Sequence, residues 1–112
     1  MPPTRKRRIL CVADDEDTRE LLTHFLEHKG YEVKTAASID EALKASSGAP
    51  FDLYFLADRL PDGSGVDLCR RLREFDPHTP IIVYSGAVFK SDEEAALQAG
   101  ASAFVPGHIF KN

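Results

Sequence analysis

Long apolar runs are missing from this chain. Nothing in its 112 residues approaches the ~20 consecutive apolar residues needed to span a bilayer, so no membrane segment is expected. The basic N-terminus is not followed by an apolar stretch of secretory length, so no signal peptide is read there either. Cysteine is scarce. Cys11 and Cys69 each sit among apolar neighbours and read as buried free thiols of a reducing compartment, with no disulfide or metal pair. A cytoplasmic location is the expectation. Strong charge of one sign is also absent: the net charge of −4 gives no electrostatic case for direct nucleic-acid binding. The one basic run, Arg5-Lys6-Arg7-Arg8, reads as part of a solvated lead-in, residues 1–7, to a first strand.

What is present is an alternation of two periodicities, on a length that allows one domain, 1–112. Arg8 to Ala13 (RILCVA) is a short apolar run, followed by four acidic residues. Asp17 is a good N-cap for a helix carrying Leu21, Leu22, Phe25 and Leu26, which stops at Gly30. Tyr31 to Ala36 reads as a strand, and Ser38 caps a second helix that ends at Ser46-Ser47-Gly48. Phe51 to Ala57 is nearly all apolar, as a strand buried on both faces should be. Asp62-Gly63-Ser64-Gly65 is a turn and helix start, with Val66, Leu68, Cys69 and Leu72 on the third helix. Pro80 to Tyr84 (PIIVY) is a fourth strand, a helix follows from about Ser91 to Ala99, and Ser102 to Val105 is the fifth strand.

Five strands alternating with helices imply an α/β fold, a doubly wound parallel sheet with helices on both faces. Its ligand site lies beyond the carboxyl ends of the strands. Those ends carry Asp14 and Asp15, Asp58, and Ser85. Clustered carboxylates there suit a hard cation such as Mg²⁺, and a hydroxyl suits a phosphoryl oxygen. The same acids also serve as helix caps, and Asp15 or Asp17 could cap the first helix. His24 and His28, four apart on that helix, read as solvated side chains, since no third ligand lies nearby in sequence.

RILCVADDEDTRELL, FDLYFLADRLPDGSG, PIIVYSGA and AGASAFVPG together resemble the receiver domain of bacterial response regulators, over almost the whole chain. The resemblance implies a flavodoxin-like five-stranded sheet in the order 2-1-3-4-5. It implies phosphoryl transfer from a histidine kinase to an Asp ending the third strand, with Mg²⁺ held by acids after the first. A Ser or Thr after the fourth strand and a Lys after the fifth would bind the phosphoryl oxygens.

Carried over residue by residue, three of those five chemical positions are empty. The phosphoaccepting Asp should stand four residues before Pro61, where the chain has Ala57. The acidic pair should begin six residues before Arg19, which puts Ala13 in the first place and Asp14 in the second. The Lys position, seven residues after Gly100, is Gly107, followed by His108. Ser85 matches the hydroxyl position, with Gly86 or Ala87 giving the small residue beside it. A Mg²⁺ site left with Asp14, Asp15 and the Arg59 backbone would be weak, so the expected cofactor is none or weakly bound Mg²⁺. Asp58 neighbours the degenerate position, but strand alternation should turn it away from the site unless a bulge re-aims it.

The resemblance thus implies no enzyme but an atypical receiver domain, a phosphorylation-independent interaction or regulatory module in signal transduction. The alternative is a residual phosphoacceptor using Asp58 or Asp15 with Mg²⁺. A paired Ala57→Asp and Gly107→Lys change should restore phosphorylation only if Asp14 is correctly placed. Phe104 falls where the family often has a switch aromatic, and equally reads as a half-buried core ring. The chain stops at Ile109-Phe110-Lys111-Asn112, too short for the fifth helix such domains carry, which is expected to be missing or truncated. Strands such as Ile81-Ile82-Val83 would then have one face partly uncovered. Self-association or a protein partner is expected at that face or at the surface from Ser91 to Val105, with a histidine kinase pathway as the setting the resemblance implies and no membrane contact.

Overall fold

The computed structural model describes residues 6–85 and 90–106. Five parallel strands form one sheet: β1 (Arg8–Val12), β2 (Glu32–Ala36), β3 (Leu53–Ala57), β4 (Ile81–Ser85) and β5 (Ala103–Pro106). Their order is β2-β1-β3-β4-β5, the doubly wound arrangement expected from the alternating pattern. The helices are α1 (Glu16–His28), α2 (Ile39–Ser46), α3 (Gly65–Arg73) and α4 (Lys90–Gln98). Between β3 and α3, Arg59–Leu60 pairs antiparallel with Gly63–Ser64, so the turn read in the sequence is a tight hairpin. Among the described residues no helix is long and apolar enough to cross a membrane.

Local chemistry sets the helix starts. Asp15, not Asp17, is the N-cap of α1: its Oδ2 accepts from the Thr18 N–H at 3.0 Å and the Thr18 hydroxyl at 2.6 Å. Asp17 lies inside the first turn, where its charge favours the helix N-terminus. Ser38 caps α2, and Ser64 and Asp67 form a reciprocal capping box at α3.

The strand period sorts the core into two faces. Leu10, Val12, Tyr54, Leu56, Ile81 and Val83 belong to the larger cluster, with α2, α3 and α4 supplying Ile39, Ala42, Leu68, Leu72 and Ala96. Ile9 and Cys11 point the other way, into a smaller cluster with Leu22 of α1. Leu53 and Phe55 are only half-buried on that face, where the Phe55 ring stacks on Tyr84 at 4.9 Å. Leu21 and Phe25 of α1 remain 50% and 55% exposed. The expectation of a missing fifth helix falls on residues 107–112, outside the described residues. Both cysteines are buried free thiols, and burial pushes the Cys11 thiol up to about 12.

Candidate functional site at the strand ends

The geometry of the crevice follows from one register. β3 and β4 pair Ala57 with Tyr84, and the Asp58 N–H continues the ladder by donating to the Tyr84 carbonyl at 2.9 Å. One step further along both strands, Asp58 comes abreast of Ser85. Residues abreast on neighbouring strands point to the same face. Asp58 does turn away from the Ala57 face, as alternation requires, but Ser85 lies on that same side. The Ser85 hydroxyl donates to Asp58 Oδ2 at 2.7 Å. Asp58 is therefore turned away from Ala57, as alternation led one to expect, and its carboxylate meets the Ser85 hydroxyl at the end of β4. Ser85 is 2% exposed, while Asp58 is partly exposed.

Ala57 itself is buried and presents only a methyl group at the end of β3. The chain then doubles back so tightly that the Gly65 N–H donates to the Asp58 carbonyl at 2.9 Å. A Cβ on Gly65 would run into the Ala57 carbonyl oxygen, so the helix start must be glycine. The neighbouring Asp62 closes the hairpin onto α2: its carboxylate accepts from the Ile39 N–H at 2.8 Å and the Asp40 N–H at 3.0 Å. Those two N–H groups hold its carboxyl below the usual range. This role was not read from the sequence, although an Asp in a turn, bonded to a distant helix start, is ordinary capping chemistry.

At the end of β1, Ala13 is buried and its carbonyl accepts from Arg19 Nη1 at 2.7 Å. Arg19 thus fixes the loop through the backbone. Asp14 is exposed, and the Asp15 carboxylate is engaged at the helix cap. Arg59 is exposed and its backbone pairs with Ser64. Among the described residues no three His, Cys, Asp or Glu side chains are grouped to hold a metal ion. One exposed carboxylate and one capping carboxylate are a poor fit to Mg²⁺, which needs oxygen ligands in near-octahedral array. The acids still set the local field. Burial first, then negative groups including Asp14, Asp15 and Asp58, push the Tyr84 hydroxyl far above its ordinary range.

Phe104 is half-buried and packs against the larger core cluster, beside Val83 across the β4–β5 ladder. Gly86 and Gly107 lie outside the described residues. On the surface running from α4 to β5, Ala96 is buried while Leu97 is 46% exposed.

Comparison with known proteins accounts for this arrangement. Residues 9–109 match the model of the response regulator receiver domain. The response regulator protein PilR of Pseudomonas aeruginosa is 34% identical over 89% of this chain and 22% of its own length. The chain spans less than half the length of the curated relatives it matches. A CheY-like receiver domain protein of Methanospirillum hungatei superimposes with a TM-score of 0.88 at 30% identity, covering 92% of this chain and 82% of that one. A response regulator protein of Burkholderia pseudomallei, solved with a phosphorylated aspartic acid, calcium ion and citrate, superimposes with a TM-score of 0.86 at 27% identity, covering 91% and 60%. The chain belongs to the response regulator receiver domain family, a family of two-component signal transduction.

Proposed function

We propose that this domain signals without being phosphorylated, as a protein-interaction or regulatory module within a longer response regulator or signalling protein. The observation that carries the reading is the methyl group of Ala57 at the end of β3. Without a carboxylate there, no acyl phosphate can form at that position. The sequence supports it further at Gly107, where a Lys would neutralise phosphoryl charge, and at Ala13, where the acidic pair would begin. Mg²⁺ binding is at most weak. The domain is cytoplasmic, is no enzyme in the ordinary sense, and meets proteins instead of nucleic acid or membrane. Its contacts use the half-covered sheet face that carries Leu53 and Phe55, or the surface from Ser91 to Val105. A histidine kinase pathway is the setting its relatives suggest.

The second reading, a residual phosphoacceptor, gains one observation: Asp58 lies beside the Ser85 hydroxyl. Asp15 gains none, because its carboxylate serves the α1 cap. Incubation with acetyl phosphate and Mg²⁺, followed by intact mass measurement, separates the two readings. The proposal expects an unmodified chain, and a stoichiometric base-labile phosphate adduct would favour the second reading.

A further inference from the structure

We propose that Asp58 is an internal latch on Ser85. Its carboxylate takes the hydroxyl hydrogen bond that an incoming phosphoryl-like anion would need, and so holds the strand-end crevice in one state, closed to anions. The inference rests on the phosphorylation-independent reading and adds a cause beyond the lost nucleophile.

A serine hydroxyl has one proton to donate. The Ser85 proton is directed at Asp58 Oδ2 over 2.7 Å, so donation to an anion and donation to Asp58 exclude each other. Bonds to an ionised acceptor are among the stronger hydrogen bonds, and the donor Ser85 is 2% exposed, although Asp58 itself is partly exposed. The Asp58 backbone is tied on both sides, by its own N–H to the Tyr84 carbonyl and by its carbonyl to the Gly65 N–H, each at 2.9 Å, which fixes its Cα beside Ser85. A fixed negative charge beside the hydroxyl also repels a phosphoryl dianion directly. The latch spans 27 positions of sequence and joins the ends of β3 and β4, so it fixes the relative placement of the two strand ends that border the crevice.

The latch predicts that restoring the missing groups is not enough. The full chain carrying A57D and G107K is compared with the same chain carrying D58A as well, each with acetyl phosphate and Mg²⁺, by intact mass over time. Removing Asp58 should raise the rate of phosphoryl uptake about tenfold, the equivalent of one charge-assisted hydrogen bond. Equal rates, with the natural chain unmodified, overturn the latch and leave the phosphorylation-independent reading standing. An adduct on the natural chain overturns both. If neither engineered chain takes up phosphate, amide hydrogen exchange at residues 58 and 65 decides. Exchange that is faster in D58A, S85A and the double variant, to a common extent, supports the latch, and unchanged exchange overturns it.

Discussion

Gly65 sits against the backbone of Ala57 with no room for a Cβ, and its N–H closes onto the Asp58 carbonyl at 2.9 Å. The return of the chain from β3 to α3 depends on that approach. Gly65→Ala forces two backbone segments apart in a packed region, where neither can shift as a side chain would. It should lower stability by about 2 kcal/mol or more, as overpacked cores do. Urea unfolding of the two chains checks this, and an unchanged midpoint would show that the loop has slack.

Asp62 gives a pH-dependent contribution whose sign is fixed. Its folded pKa is lowered by the Ile39 and Asp40 N–H groups, so its stabilisation is present above the unfolded carboxyl pKa, about 4. It is lost as pH falls through the folded value. Asp62→Ala should therefore lower the melting temperature at pH 7, and the gap from the natural chain should narrow below about pH 4. Thermal melts from pH 3 to 7 test it; a gap independent of pH would contradict the assignment.

Arg73 joins three backbone segments. Its Nε donates to the Gly100 carbonyl at 2.9 Å, and Nη1 donates to the carbonyls of Asp76 and Thr79 at 3.0 and 2.7 Å. A lysine is a single-point donor and cannot span these acceptors. Arg73→Lys should cost about 1–3 kcal/mol, close to the cost of Arg73→Ala, because partly buried carbonyls lose a partner in both. Full rescue by lysine in denaturant unfolding would mean that charge, not the planar fork, matters.

The flank of α1 offers a test of the interaction surface. Leu21 and Phe25 of α1 are about half exposed, and Leu53 and Phe55 are half-buried on the sheet face that packs against Leu22 of α1. If this face mediates self-association, sedimentation of the natural chain should depend on concentration in the low micromolar range. Phe25→Lys should abolish that dependence without lowering the melting temperature. A natural chain that stays monomeric and binds no hydrophobic dye would remove the face from consideration.

The strands and helices were legible because their side chains repeat with the period of the structure. Alternation of Ile9 and Cys11 with Leu10 and Val12 does place them on opposite faces of the sheet. That the third strand ends at Ala57 was legible too, from the apolar run that stops there, whereas its reading as the empty phosphoacceptor position, counted from Pro61, rests on the sequence. The Asp58–Ser85 bond was not. It depends on which residue of β3 stands abreast of which residue of β4, and strand alternation within one segment carries no such information. Asp62 escaped for the same reason, since its partners lie 22 and 23 positions away at the start of α2. The α1 cap was ambiguous because Asp15 and Asp17 are chemically equivalent, and only the start of the helical hydrogen bonding, with Arg19 donating to the Asp15 carbonyl, distinguishes them. The sites at Gly86 and Gly107 rest on the sequence alone.

The central claim is that signalling by this domain does not pass through an aspartyl phosphate. Its most direct test is to treat the natural chain with acetyl phosphate and Mg²⁺, trap any acyl phosphate by borohydride reduction, and map the product by peptide mass. The account predicts no reduced aspartate anywhere in the chain, while the A57D, G107K, D58A variant yields one at residue 57. A reduced aspartate at Asp58 or Asp15 of the natural chain would contradict it.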